Sequence, residues 1–220
     1  VIVLRTSWMS REIVAFGGFA MLAIAYAASL FVLPGAVDGL AAARDVLGWI
    51  VAALGVVGVA CSVMIYHATR KAWWTASISG FKFFMTEVLL GLAATALILA
   101  TAGLPGPVLP ALPALVIAAS AIKAAGELAV LFHLRDKRYT ELRRSALVLV
   151  RDLRGVTVAR FAMLVIGGGV LPLTSLVGGS HDTSLGIAIA SLVLLLAGEL
   201  FERVLFFAAA SSPGIPGAVR

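Results

Sequence analysis

Residues 81 to 102 read FKFFMTEVLLGLAATALILATA, and this one stretch decides what kind of protein the chain is. After Glu87 it carries no charge and is almost unbroken hydrocarbon. Wound as an α-helix at about 1.5 Å per residue, it is just long enough to cross the roughly 30 Å apolar interior of a bilayer. Its apolar residues run continuously instead of alternating, which excludes a strand of a membrane barrel.

Five more runs of the same kind follow from the same test, at about residues 13–33, 47–66, 109–132, 156–177 and 184–207. The first stops at Pro34-Gly35, and the fourth is entered through Pro105, Pro107, Pro110 and Pro113. Proline is tolerated in the first turn of a helix and breaks its interior. The expected fold is therefore all-α, a polytopic transmembrane helical bundle with six visible spans, and residues 1–220 are read as a single integral membrane domain.

The composition agrees. Of 220 residues, 61% are apolar and 13% are charged, with a mean hydropathy of +1.07, against about 25% charged in an ordinary soluble domain. That excludes a water-soluble globular domain. The net charge of +6 would suggest nucleic acid in a soluble protein, but in a membrane protein it bears on orientation and no nucleic-acid partner is expected. A single cysteine, Cys61, can form neither an internal disulfide nor a thiolate metal cage. The first residue is Val1 and no leader precedes the first span, so the natural N-terminus is expected to be missing.

Six spans bring both termini to one side, and the basic residues sort accordingly. Arg5, Arg11, Arg70, Lys71, Lys82, Arg135, Lys137, Arg138, Arg143, Arg144, Arg151, Arg154, Arg203 and Arg220 fall on one side, with Arg44 alone opposite. Excess lysine and arginine marks the cytoplasmic side. The one sizeable loop, His133 to Gly155, is too short for a catalytic domain. Its Tyr139 to Arg144 segment reads as a surface helix with Leu142, Leu147 and Val148 toward lipid or a partner subunit. Glycines inside spans, such as Gly55, Gly58 and Gly167 to Gly169, read as close-packing surfaces.

Ionisable side chains inside a span cost about 2.5 to 3.5 kcal/mol each at the centre, so each marks a candidate site. Here they are Glu12, Glu87, Lys123, Glu127, Arg160 and Glu199. Most fall in the half nearest the basic loops, which predicts a polar pocket opening to one face. A pump or channel would need a polar route across the full thickness. Lys123 and Glu127 are four apart, as are Glu199 and Arg203, so these pairs either hold helices in register or serve the site. Arg160 is expected to snorkel to the headgroups. Glu12 and Glu87 have no partner four residues away and are the better candidates for proton transfer to a ligand. The three histidines, His67, His133 and His181, sit at span ends or in a loop, so no haem and no zinc site is expected.

Three segments then resemble a known family, the membrane-anchor subunits of dimethyl sulfoxide reductase type molybdoenzymes. They are Ser7-Trp8-Met9-Ser10-Arg11-Glu12; Cys61 to Tyr66 continuing through Thr69-Arg70 to Trp74, with Lys82-Phe83-Phe84 and Thr86; and Gly198-Glu199-Leu200-Phe201-Glu202-Arg203, running on to Phe206-Phe207 and Pro216-Gly217. The resemblance implies eight spans, two of them before Val1, in the cytoplasmic membrane of a bacterium. It implies a haem-free anchor that passes electrons between a membrane quinone, menaquinone or ubiquinone, and an iron–sulfur subunit. Iron–sulfur clusters and molybdopterin would reside only in the iron–sulfur and molybdopterin catalytic partner subunits.

On the same resemblance Glu12 is the pocket carboxylate, with Arg11 a charge partner and Ser10 beside it. Tyr66, His67, Arg70 and Glu87 are further quinone-site candidates, while Trp73 and Trp74 read as interfacial anchors. A cytoplasmic catalytic module would favour a sulfite-oxidising complex. Two other classes compete: a secondary transporter, which would place its groups near the midplane on repeated halves, and a purely structural anchor whose buried charges only register helices.

Overall fold

The computed structural model describes residues 5, 7–31, 41–102, 111–177 and 181–210. Among them the chain forms α1 (Trp8–Phe31), α2 (Ala41–His67), α3 (Ala76–Ala102), α4 (Leu112–Ala129), α5 (Glu141–Val150), α6 (Arg154–Val165), α7 (Leu171–Val177) and α8 (His181–Ala208). Six segments are long and apolar enough to cross a bilayer: α1, α2, α3, α4 with its 3-10 continuation to Arg135, α6 through α7, and α8. The protein is a multi-pass, all-helical membrane bundle.

Helices α2 and α3 begin well before the expected residues 47 and 81: Arg44 is carried inside α2 and does not end it, and α3 opens at Ala76 with uncharged residues that precede the apolar run. The expected limits at Leu33, Pro34-Gly35 and Leu109, and the entry prolines Pro105, Pro107 and Pro110, lie outside the described residues. Pro113 occupies the first turn of α4, where its missing N–H has no helical acceptor to lose.

The chain divides into two compact units, residues 1–70 with 75–80, and residues 71–74 with 81–220. In the first, α1 and α2 pack antiparallel through glycine notches. A side chain at Gly58 would meet the Phe16 ring at 2.7 Å, and one at Gly48 would meet Tyr26 at 3.3 Å. The partners descend one helix as they climb the other, so the glycines let bulky rings of α1 sit against the α2 backbone. After α2 the chain reverses at Arg70, whose φ of 56° is a left-handed conformation costly for a side-chain-bearing residue.

The second unit is layered along its helices. In the half away from the basic loops, Leu89 and Ala93 of α3, Val116 and Ala119 of α4, Leu164 of α6 and Leu195 of α8 form one apolar cluster. At the basic end, Trp73, Val130, Ala146, Leu149, Leu205 and Ala209 form another. Between the two lies a layer of charge.

The fifth span is interrupted. A π-turn, Ile166–Val170, separates α6 from α7, and the Leu171 N–H reaches back to the Ile166 carbonyl. Pro172 cannot continue an ordinary helical ladder, and the wider turn absorbs it. Gly167 and Gly168 are buried there, Gly167 against α8 and Gly168 against Ser120 of α4, while the Ser191 hydroxyl donates to the Gly167 carbonyl at 2.5 Å.

The expected surface helix is α5. Thr140 caps it by accepting from the Arg143 N–H at 3.1 Å. Contrary to expectation, Leu142 does not face outward. It packs on the basic-end cluster beside Ala146 and Leu149, and Ser145 donates to the Ala209 carbonyl at 2.7 Å, so the helix lies down on the bundle.

Candidate functional site

In the first unit, Glu12 stands in the second turn of α1, where Ser7 opens the helix by accepting from the Ser10 N–H at 3.3 Å. The Ser62 hydroxyl of α2 donates to the Glu12 carboxylate, and the same hydroxyl also reaches the Gly58 carbonyl at 3.3 Å. Glu12 is half-buried, with Cys61 and Val63 buried on either side of Ser62. Arg11 donates to the Arg5 carbonyl at 2.9 Å and lies 4.3 Å over the Trp8 ring. Tyr66 is half-buried one turn beyond Ser62, and His67 and Arg70 are exposed where α2 ends. The result is a carboxylate and a hydroxyl joined across two helices near one end of an otherwise apolar pair. That set can accept or donate a proton and hydrogen-bond a carbonyl or hydroxyl headgroup.

In the second unit, six charged side chains from four helices meet. Lys123 reaches Glu199 at 2.6 Å and Glu127 at 3.9 Å, while Arg160 reaches Glu127 at 2.6 Å and Glu199 at 3.4 Å. Positive and negative groups thus alternate around a closed ring. Thr86 of α3 donates to Glu199 and accepts from Lys123, each at 2.6 Å. Beside the ring Lys82 pairs with Glu202 at 2.6 Å, and the Lys82 carbonyl accepts from Lys123 at 3.3 Å. Three cations face three anions, so the layer is neutral as a whole. That balance makes its burial tolerable, since an isolated charge in such surroundings costs several kcal/mol and a well-paired one much less.

The structure revises several expected pairings. The Lys123–Glu127 contact is the loosest in the ring, because each partner has a closer one on another helix. Glu199 pairs with Lys123 and Arg160 in place of Arg203, which instead lies 3.8 Å over the Phe83 ring. Arg160 does not snorkel; it is fully buried, drawn inward by two carboxylates. Lys82 is buried with Glu202 and is not part of the basic face. The expected polar pocket open to that face is, in this unit, a closed layer roofed by the Trp73, Leu149 and Leu205 cluster. Trp73 and Trp74 both donate to the Phe206 carbonyl, at 3.0 and 3.2 Å, so they fasten this roof.

Sequence reasoning missed Lys82 and Glu202 as a buried pair. The signal was present: both fall inside hydrophobic runs, one turn from Thr86 and one turn from Glu199 respectively. Glu87 is half-buried on α3 and has no hydrogen bond or ion pair among the described residues. His133 sits beside Asp136 at 2.9 Å, half-buried; the side chain of His181, and Pro216-Gly217, lie outside the described residues.

Six helices long and apolar enough to cross a bilayer, a half-buried carboxylate near one end of the first helix pair and a neutral charged layer in the second unit define an integral membrane subunit with no soluble domain among its described residues. The family model for the DMSO reductase anchor subunit (DmsC) matches residues 3–209. The chain belongs to that family and anchors a molybdoenzyme complex, with its catalytic partner subunits, in the membrane. No curated relative and no solved structure matches it.

Proposed function

We propose that this anchor is the quinone-reactive subunit of its complex, passing electrons between the quinone pool and an iron–sulfur subunit that serves a molybdopterin catalytic subunit. The observation that carries the reading is Glu12, a half-buried carboxylate joined to Ser62 on the neighbouring helix. Quinone and quinol interconvert with the transfer of protons as well as electrons, and a headgroup docked near the end of α1 and α2 would find in Glu12 a proton carrier and in Ser62 a hydroxyl that holds the carboxylate in one orientation. Arg11, Ser10, Tyr66, His67 and Arg70 belong to the same ends of these two helices or follow them, and are the further candidates to hydrogen-bond the headgroup.

The loops support one sidedness. Their arginine excess favours a cytoplasmic catalytic module on the inner membrane of a bacterium, and with it a sulfite-oxidising complex that delivers electrons to menaquinone or ubiquinone. The decisive experiment is Glu12→Gln in the assembled complex. Quinone-linked turnover is expected to fall at least about tenfold, in line with loss of a general acid–base group, while activity with an artificial dye at the catalytic subunits is unchanged. Undiminished quinone turnover would remove Glu12 from the reaction. Solute uptake by the reconstituted protein would favour a transporter instead.

A further inference from the structure

The charged layer of the second unit is not closed by protein groups alone. Arg160 is 0% exposed, yet of its three nitrogens only one has partners; Nε and the second terminal nitrogen have none among the described residues. Glu202 is 1% exposed, and while one oxygen binds Lys82, the other is likewise unpartnered. Two donors and one acceptor on fully charged groups are thus enclosed in a bundle whose outer surroundings are lipid. A buried charged group left short of a hydrogen bond costs more than the 1 to 3 kcal/mol typical of a neutral one, and in native proteins such atoms are met by protein or by ordered water.

The charged side chains of the layer and Thr86 are already engaged, and the buried Ser79 and Ser120 hydroxyls make no hydrogen bond to these atoms. On α3, Lys82 binds Glu202, and Thr86 binds both Glu199 and Lys123. On α4, Lys123 is shared between two carboxylates, and Glu127 accepts from Arg160. On α8, Glu199 has a partner on each oxygen, and Arg203 lies over Phe83. Apolar clusters close the layer above and below. An anion would upset the three-to-three balance of charge, and an organic headgroup would have to enter a layer whose charged side chains are almost fully buried. Water is neutral, small, and both donates and accepts.

We propose that the layer binds buried water at the two unpartnered nitrogens of Arg160 and at the free oxygen of Glu202, making the six charges a hydrated polar centre sealed between two dry cores. Water here completes the charged hydrogen bonds that protein packing leaves open, and it exchanges with bulk slowly because the Trp73–Phe206 roof must loosen to release it.

Radiolytic hydroxyl labelling of the intact protein in lipid nanodiscs tests this, with rapid mixing into oxygen-18 water before exposure. Bound water is activated in place and oxidises the side chains beside it. Phe161, whose ring lies 5.2 Å from the Arg160 guanidinium, and Met163, which packs against Gly198 next to Glu199, are the reporters. Normalised to the intrinsic radical reactivity and the exposure of each residue, they should be labelled severalfold more than Leu89 and Leu195 of the dry cluster, and with oxygen-16 at short mixing times. Labelling no greater than at those leucines on the same normalised scale, or oxygen-18 incorporation as fast as at exposed Tyr139 in the loop before α5, would overturn the proposal. Arg160→Lys keeps the charge but removes the guanidinium donors, and should lower Phe161 labelling severalfold. Should that variant not fold, the unmodified protein's own labelling decides the matter.

Discussion

Replacing Arg160 by methionine should destabilise the second unit by about 3 kcal/mol, the lower end of the range for breaking a buried ion pair. The figure comes from what remains. One terminal nitrogen of Arg160 serves both Glu127, at 2.6 Å, and Glu199, at 3.4 Å. Without it Glu199 keeps Lys123 at 2.6 Å, but Glu127 is left with the same lysine at 3.9 Å. At an effective dielectric of about 20, unit charges near 4 Å still attract by about 4 kcal/mol, so Lys123 compensates part of the loss and the cost stays below the roughly 5 kcal/mol of a fully stranded ion. Methionine is of similar length and apolar, so the penalty is chiefly one of charge. Adding Glu127→Gln removes the surplus negative charge, and the double variant should recover at least about half of the lost stability. Unfolding in mixed micelles, followed through Trp73 and Trp74 at the roof, gives both numbers. A double variant as unstable as the sum of the two single ones would show that the ring does not act as a coupled network, and the reasoning would fail.

Three smaller effects follow from the local geometry. Gly58→Ala should cost about 1 to 3 kcal/mol by overpacking against the Phe16 ring, and Phe16→Leu should restore thermal stability if that ring is the obstacle. Thr140→Ala removes the cap of α5 and should cost about 1 kcal/mol, seen as faster amide exchange across residues 141–145 with little change in α6. Arg70→Gly relieves the left-handed residue after α2 and should add about 1 kcal/mol; Arg70→Ala, which keeps the side-chain clash, should add nothing, as differential scanning of the two variants would show.

Six spans were legible because hydrocarbon thickness leaves so little freedom: a run such as residues 81–102 has one way to satisfy its backbone in lipid. Helix ends were not, because Arg44 looks like a loop charge and the less apolar turn before Phe81 falls below the hydropathy of a span. Lys82 is tolerated inside a helix only because Glu202, far along the chain, neutralises it. The same limit governed the ion pairs. Spacing of four residues finds the intrahelical neighbour of Lys123, yet its shorter contact is to Glu199 on a helix that no periodicity points to. Glu12 was legible as an unpaired carboxylate, but its partner Ser62 was not, since a serine in a span is ordinarily silent. The π-turn could be anticipated only in that three glycines precede Pro172.

The neutral layer also sets an order on how the protein can be made. Lys82 enters the bilayer first, then Lys123 and Glu127 together, then Arg160; only with α8 do Glu199 and Glu202 arrive. Until α8 is threaded from the ribosome, two positive charges of the layer have no counterpart in the bilayer. Helix α8 is therefore the keystone of the layer's assembly, and a chain cut short before it would be a natural substrate for membrane proteolysis even though the spans before it had inserted correctly.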